Sequence, residues 1–268
     1  MLDLLGGLPT EFKALLLGII EGATEFLPVS STGHLVLFSE VLSFTEHSAP
    51  TFDISIQMGA MFAVIWFYRK NAKNITLNYH KHFFLTVFIA FVPVAFVGFL
   101  FGELIMRALF SPLPVGLAFI IGGILILYVE SKYKKNTRVL RKNLFEEIRF
   151  IDALKIGFVQ VFSLIPGTSR SGAVIIGGMY FGLSRHMATQ FSFLLAVPVI
   201  LSAGMYSLFL SWETLVLDDL PVFISGFLSS FVSAFIVISW LISYVKKKDL
   251  RIFAWYRIIV GIIILILW

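Results

Sequence analysis

The segments EGATEFLPVSSTGH, from Glu21 to His34, and QVFSLIPGTSRSG, from Gln160 to Gly172, are short polar stretches inside an otherwise apolar chain. Aligned together with the three residues before each of them, they share a glycine, an acid or its amide, a proline and a serine, with a one-residue slip before the prolines. The matched pairs are Gly18 with Gly157, Glu21 with Gln160, Pro28 with Pro166 and Ser31 with Ser169. This internal similarity predicts a duplicated unit whose two copies have diverged.

The composition places this unit in a membrane. Of 268 residues, 58% are hydrophobic and 14% are charged, and the mean hydropathy is +0.92, whereas soluble domains carry about 25% charged residues. The first residues lack a basic segment and an Ala-x-Ala-like motif, so we expect no cleaved signal peptide. The chain contains no cysteine, so a bound metal would need oxygen or imidazole ligands, which favours Mg2+ or Ca2+.

Six apolar segments approach the roughly 20 residues that a helix needs to cross about 30 Å of hydrocarbon. They are 52–68, 83–101, 115–130, 190–210, 221–245 and 252–268. Two further apolar stretches, 11–45 and 152–186, are each interrupted by a proline and a Ser/Thr/Gly cluster, which leaves arms too short to cross. The sequence therefore predicts an all-α integral membrane protein with six transmembrane helices and two re-entrant helical hairpins.

Lysine and arginine residues cluster in three loops, and loops rich in these residues are usually cytoplasmic. The clusters are Arg69, Lys70, Lys73 and Lys81; eight basic residues from Lys132 to Lys155; and Lys246, Lys247, Lys248 and Arg251. Two predicted spans separate each cluster from the next, so all three can be cytoplasmic and both termini are expected outside. The net charge of +5 then reflects membrane topology, and no nucleic-acid partner is expected.

The predicted topology divides the chain into two repeats joined by a basic loop. Residues 1–130 contain the first hairpin and three spans, residues 131–151 form the cytoplasmic loop, and residues 152–268 contain the second hairpin and three spans. Because three is an odd number of crossings, the second repeat must be inverted relative to the first. The hairpins then enter from opposite faces, and their tips are expected to meet near the middle of the membrane.

The first hairpin carries two acids at membrane depth. Glu21 and Glu25 stand at positions i and i+4 of a predicted helix and share one face, and Pro28 ends that helix. Ionisable groups are costly at this depth, which favours a functional role for the pair. A proton or ion path and a purely structural pair are the alternatives.

Each hairpin tip combines hydroxyl groups with the start of a short helix. The residues concerned are Ser30, Ser31 and Thr32 in the first tip, and Thr168, Ser169, Arg170 and Ser171 in the second. Free N–H groups at a helix start favour an anion, and an arginine fork suits phosphate oxygens. The pattern predicts a phosphate site. Alternatively, the small residues serve close helix packing, and Arg170 pairs with a glutamate or reaches an interface.

Other charged residues near the span ends have structural explanations. Glu103 and Arg107, at positions i and i+4 beside an outer loop, are expected to form a surface ion pair. Arg257 follows a basic loop into the last span, and we expect its side chain to extend back to the interface. Neither position is assigned to the site.

Taken together, EGATEFLPVSSTGH and the later PGTSRSG closely resemble the signature motifs of the undecaprenyl pyrophosphate phosphatases, the bacterial bacitracin-resistance family. The resemblance covers essentially the whole chain, including FDISIQMGAMFAV from Phe52, FSFLLAVP from Phe191 and the pair Tyr256 and Arg257. It implies an enzyme of the bacterial cytoplasmic (inner) membrane that removes the terminal phosphate of undecaprenyl diphosphate, a polyprenyl diphosphate lipid, at a site open to the periplasmic face. Its product serves peptidoglycan synthesis, and its activity confers bacitracin resistance.

The resemblance also implies functional positions at Glu21, Glu25, Ser31, His34 and Arg170. We predict that the two glutamates bind Mg2+ or Ca2+, since two carboxylates would otherwise repel a diphosphate. Ser31 is the candidate nucleophile, with His34 as its base. Direct attack by water activated by Glu25 or His34 is the alternative mechanism.

Interrupted helices in an inverted repeat also describe secondary transporters, so a transporter or flippase for a polyprenyl phosphate lipid is the rival function. The two functions differ in what the purified protein does without a membrane or a gradient, because only the phosphatase releases phosphate. The sequence leaves the oligomeric state open, with a homodimer as one alternative.

Overall fold

The computed structural model describes residues 7–44, 49–72, 77–135, 142–210 and 219–267. Within these ranges the chain is helical, with short 3-10 turns at Phe145–Glu147 and Phe162–Leu164 and no strand. The α-helices are α1 (Thr10–Thr24), α2 (Ser31–Val41), α3 (Ala49–Ala72), α4 (Leu77–Leu109), α5 (Pro112–Lys135), α6 (Phe150–Val161), α7 (Arg170–Tyr180), α8 (Arg185–Leu210), α9 (Leu220–Lys247) and α10 (Arg251–Leu267). The predicted all-α class is confirmed.

Among the described residues, five segments are long and apolar enough to cross a membrane. They are Thr51–Arg69, Lys81–Leu109, Pro112–Lys135, Arg185–Leu210 and Leu220–Lys247. Large apolar side chains face outward on them: Phe96, Phe99 and Phe209 are 64%, 77% and 79% exposed. Soluble proteins rarely expose so much contiguous apolar surface. The chain is therefore a multi-pass membrane protein, as its composition predicts.

Helices α1, α2, α6 and α7 are too short to cross. They contain 15, 11, 12 and 11 residues, which correspond to about 16 to 22 Å against about 30 Å of hydrocarbon. The chain breaks around Pro28 between α1 and α2, and around Pro166 between α6 and α7. Proline has no N–H to continue a helix, and both breaks fall within the stretches where the sequence predicts them.

The described residues fall into two compact units, of which the first lies within Met1–Phe26, Ser31–Arg69 and Ala196–Trp240. Its apolar core includes Ala14, Leu17, Leu35, Phe52, Ile56 and Val222. Two glycines let helices approach closely, since a side chain at Gly18 or Gly59 would overlap the carbonyl groups of α9. Helix α9 therefore packs directly on the backbones of α1 and α3.

The second unit lies within Leu27–Ser30, Lys70–Leu195 and Leu241–Trp268. In it, α10 packs along α5, and α6 packs along α4. Glycines again permit the contacts, because Gly123 of α5 lies against the α10 backbone and Gly157 of α6 lies against the α4 backbone. Residues Leu27–Ser30, at the break between α1 and α2, belong to this unit together with the second hairpin.

A buried carboxylate fixes the start of the second hairpin. Asp152, in the first turn of α6, pairs with Lys142 and with Arg149, whose Nε lies 3.0 Å from Oδ2. Burial by itself would raise the pKa of Asp152, but the hydrogen bonds from Arg149 and Lys142 lower it to about 2. The group stays ionised at neutral pH and ties α6 to the preceding loop.

A second buried ion pair joins α5 to α8. Glu130 is fully buried and accepts hydrogen bonds from Nε and Nη2 of Arg185 at 2.8 and 2.7 Å. It also accepts a hydrogen bond from the N–H of Leu250, in the turn between α9 and α10, at 2.9 Å. One carboxylate therefore connects three segments of the second unit.

Glu130→Gln is expected to lower the free energy of unfolding by about 3 kcal/mol, because Arg185 then lies in the protein without its counter-charge. The matched control is Glu103→Gln. Glu103 forms the predicted pair with Arg107 at 2.6 Å, but the side chains are 80% and 77% exposed, so little stability is lost. Denaturant unfolding of both variants in one detergent measures the difference, and equal effects would contradict the role of Glu130.

Candidate active site

The last turn of α1 presents two buried acids on one side. Glu21 is fully buried, and Glu25 has 8% of its surface exposed. The N–H of Glu25 bonds to the carbonyl of Glu21 at 2.8 Å, so the two residues are one helical turn apart and share a face, as their spacing predicts. Two carboxylates in an apolar unit need a compensating cation or a proton.

Ser31 begins α2 and is bonded to one of these acids. Its hydroxyl donates a hydrogen bond to Oε2 of Glu25, and both residues are buried. A carboxylate in this position can take the serine proton and so activate the hydroxyl as a nucleophile. The sequence predicts His34 as the base, whereas this hydrogen bond goes to Glu25. His34 is also buried, and its catalytic role stays a prediction.

The second polar tip is a tight turn that caps α7. Ser169 has a φ angle of 71°, and its hydroxyl accepts a hydrogen bond from the N–H of Gly172 at 3.1 Å, which is the usual contact of an N-cap. The hydroxyl of Ser171 lies 3.1 Å from that of Ser169. Gly167 enters the turn with φ at 89°, a conformation that favours glycine.

Arg170 is the first residue of α7, and α8 holds its side chain. Nη1 donates to the carbonyl of Ser192 at 2.8 Å and lies 3.4 Å from the hydroxyl of the same residue. Because the guanidinium is planar and rigid, this contact sets the orientation of the whole fork. The fork and the N-terminus of α7 together place positive charge at the second tip.

The second polar tip contacts Leu27 and Pro28 within the second unit. The hydroxyl of Ser171 donates to the carbonyl of Leu27 at 2.7 Å. A side chain added at Gly172 would lie 3.5 Å from Pro28, so the tips are also packed closely. The second tip therefore packs against the break in the chain that precedes Ser30.

The backbone conformation of the tips revises their alignment. Ser30 has φ at 73° and Ser169 has φ at 71°, and α2 and α7 begin at the next residue in each case. Positive φ is uncommon for serine, so the shared angle identifies Ser30 as the counterpart of Ser169. The pairing of Ser31 with Ser169 is wrong, and Ser31 corresponds to Arg170. One helix begins with the candidate nucleophile and the other with the candidate phosphate ligand.

Arg257 is part of this region, although its place beside a basic loop predicts only an interface position. The side chain lies in the second turn of α10 and is 1% exposed, so the prediction that it extends to an interface is wrong. Nη1 donates to the carbonyl of Pro28 at 3.2 Å, and Nη2 donates to the carbonyl of Gly167 at 3.0 Å. The available signal was an arginine within an apolar helix, which is costly unless it is bonded.

The remaining predicted residues differ in exposure: Ser30 is buried, Thr168 is half-buried and Thr32 is exposed. Among the residues that the structure describes, no three His, Cys, Asp or Glu side chains form a metal cluster. Glu21 and Glu25 nevertheless supply the hard oxygen donors that suit a divalent cation. They fit an ion such as Mg2+, which is often held by one or two carboxylates and completed by phosphate oxygens and water.

The chain is similar to proteins of one family along nearly its whole length. Residues 14–263 match the family described as Bacitracin resistance protein BacA. The undecaprenyl-diphosphatase of Janthinobacterium sp. (strain Marseille) is 46% identical over 259 residues, which cover 95% of this chain and 94% of that protein. The undecaprenyl-diphosphatase of Polaromonas naphthalenivorans (strain CJ2) is 48% identical over 258 residues, which cover 94% of this chain and 93% of that protein.

Proposed function

The chain belongs to the bacitracin resistance protein BacA family, and we infer that it is an undecaprenyl-diphosphatase, the name its relatives carry at 46% and 48% identity. It hydrolyses undecaprenyl diphosphate to undecaprenyl phosphate and inorganic phosphate. The reaction returns the lipid carrier to peptidoglycan synthesis and confers resistance to bacitracin. The hydrogen bond from Ser31 to Glu25 is the observation in the structure that best supports a hydrolytic site.

Ser31 is the proposed nucleophile, and Glu25 is its general base. The hydroxyl oxygen bonds to the terminal phosphorus while its proton passes to Glu25, and the bond from phosphorus to the bridging oxygen breaks, which releases undecaprenyl phosphate. Water then attacks the phosphoserine and yields inorganic phosphate and the free hydroxyl. Direct attack by water activated by Glu25 or His34 is the second route.

The second polar tip is proposed to hold the phosphate that is transferred. The Arg170 fork and the N-terminus of α7 provide positive charge, and the hydroxyls of Ser169 and Ser171 provide hydrogen bonds. Fixed donors of this kind stabilise the negative charge that develops in the transition state. Further substrate contacts are proposed for Ser30, Thr32 and Thr168.

Glu21 and Glu25 are proposed to hold a divalent cation, Mg2+ or Ca2+. When bound, the cation neutralises phosphate oxygens and so lets two carboxylates lie near a diphosphate. A carboxylate has two oxygens, so Glu25 can accept the hydrogen bond of Ser31 through Oε2 and bind the cation through the other.

The proposed architecture is an inverted repeat with six transmembrane helices and two re-entrant hairpins. The sixth span is α10, whose 17 residues are about 25 Å long. Two observations support the repeat. Helices α2 and α7 have 11 residues each and follow a serine with the same unusual φ. In addition, Gly18 packs on α9 while its counterpart Gly157 packs on α4, so each hairpin packs on the second long helix of the other repeat.

Release of phosphate by the purified protein tests the proposed function. Undecaprenyl diphosphate is supplied in detergent, without a membrane or a gradient, and inorganic phosphate is measured. A phosphatase releases phosphate under these conditions, whereas a transporter or flippase does not. Folded protein that releases none would overturn the proposal.

Ser31→Ala is expected to lower kcat by at least about 100-fold, because the group that accepts the phosphoryl is lost. Ser169→Ala should be milder: a hydrogen bond to a charged group contributes about 1.5 to 3 kcal/mol, or about one to two decades in kcat/KM. Ser39→Ala, farther along α2, is the control and should match the parent. Steady-state kinetics on a short-chain prenyl diphosphate compare the variants. If Ser31→Ala keeps more than about a tenth of the parent turnover, water attacks directly.

Removal of divalent cations by a chelator is expected to abolish phosphate release, and Mg2+ or Ca2+ should restore it. A bound cation also stabilises the folded state, so the cation should raise the unfolding temperature of the parent but not that of Glu21→Gln. Thermal unfolding with increasing cation concentration measures this without reference to activity. Full turnover in excess chelator would exclude the proposed metal role.

The proposed location is the bacterial inner membrane, with the active site open to the periplasmic face and both termini external. Because the chain contains no cysteine, introduced cysteines report accessibility without background. A cysteine appended after residue 268 should react with a membrane-impermeant reagent in intact cells, whereas Lys247→Cys should react only after permeabilisation. The opposite labelling would contradict the inverted repeat. Association into a homodimer stays a prediction.

A further inference from the structure

Arg257 binds four backbone carbonyls of the second unit. Besides its hydrogen bonds to the two tips, Nη2 donates to Ala118 at 2.9 Å and Nε donates to Phe119 at 3.3 Å. The guanidinium also lies 5.3 Å from the centroid of the Phe119 ring. All four hydrogen-bond acceptors are neutral, and no carboxylate among the described residues pairs with this arginine.

One rigid group thus connects both polar tips to α5. The carbonyls of Pro28 and Gly167 bond to the two terminal nitrogens of the same planar fork, with separations of 3.2 and 3.0 Å. Since the fork cannot change its internal spacing, the tips cannot move apart without losing one of these bonds. The contacts with Ala118 and Phe119 fix the fork itself.

The guanidinium of Arg257 also places positive charge next to the backbone of both tips. A buried cation is costly when only neutral groups surround it, because dipoles compensate its lost hydration only in part. An anion bound at the tips would complete the compensation through the low-polarity interior. The charge that is unfavourable in the free protein therefore favours the binding of a phosphate.

We propose that Arg257 is a positioning residue for the phosphate site. It holds the tips at Pro28 and Gly167 in one relative position and supplies positive charge behind them, while its own hydrogen bonds go to the backbone. The proposal deepens the phosphatase function inferred above and rests on it. A purely structural role would lower stability and the amount of active protein but would leave the affinity for an anion unchanged.

Two substitutions of Arg257 separate charge from geometry. Arg257→Lys keeps the positive charge but replaces the planar fork by a single nitrogen, whereas Arg257→Gln removes the charge. The matched control is the same pair of changes at Arg251, in the same helix, whose side chain is 40% exposed and lies 3.9 Å from Asp249.

A third variant displaces the guanidinium without removing it. A Cβ added at Gly122 of α5 would overlap Nη2 of Arg257 and lie 2.6 Å from Cζ, the carbon of the guanidinium. The end of a long side chain can shift, so Gly122→Ala should fold and move the fork away from the tips. Gly102→Ala is the control, because nothing lies within 4 Å of the added Cβ there.

The experiment measures the affinity for inorganic pyrophosphate by calorimetry, together with kcat and KM for a short-chain prenyl diphosphate. Arg257→Gln is expected to weaken pyrophosphate binding by at least about tenfold. Arg257→Lys should keep the affinity within about threefold while kcat falls by about 10- to 100-fold. Gly122→Ala should weaken pyrophosphate binding and lower kcat by about tenfold, and the variants at Arg251 and Gly102 should match the parent.

The proposal is overturned if Arg257→Gln and Gly122→Ala bind pyrophosphate as the parent does and keep its KM, even when kcat falls with the amount of active protein. If Arg257→Gln does not fold, the pyrophosphate affinity and KM of Gly122→Ala decide the proposal, because this variant retains every polar group. A parent protein that releases no phosphate would refute the phosphatase function, and the pyrophosphate affinities would still decide the role of Arg257. If the parent hydrolyses its substrate and the variants at Arg257 and Gly122 behave as the parent does, only the positioning role is refuted.

Discussion

Backbone carbonyls released by a broken helix need hydrogen-bond donors when the surroundings are apolar, and this need organises the region around the two tips. Arg257 supplies donors to the carbonyls of Pro28 and Gly167, and Ser171 supplies one to Leu27. With these carbonyls bonded, the backbone can leave the helix inside the protein. The helix starts that follow the breaks then become available for an anion.

The two polar tips share one backbone conformation but carry different side chains. Ser30 and Ser169 keep the same conformation, but the next residue is a serine in one copy and an arginine in the other. Likewise, the acid Glu21 is aligned with the amide Gln160, and both side chains are fully buried. In the proposed inverted repeat, the first copy supplies the acids and the hydroxyl for the reaction, and the second supplies cationic and hydroxyl groups for phosphate binding.

Much of this organisation was predictable from the chain because it depends on local properties. Long apolar segments predict spans, and prolines beside Ser/Thr/Gly clusters predict the breaks around residues 28 and 166. The spacing of Glu21 and Glu25 predicts their common face. The hydrogen bond from Ser31 to Glu25 was less accessible: the sequence predicts His34 as the base of Ser31, since spacing within a helix is visible in a sequence and contact across a turn is not.

Hydropathy, helix breaks and residue types therefore follow from the order of amino acids, because each depends on a few neighbouring residues. The shared conformation of Ser30 and Ser169, the hydrogen bond from Ser31 to Glu25 and the burial of Arg257 follow only from the folded chain. Arg257 and Pro28 are 229 positions apart in the sequence, and their hydrogen bond requires atoms of both to lie within about 3 Å. Such a distance depends on the packing of every helix between them, which no local pattern encodes.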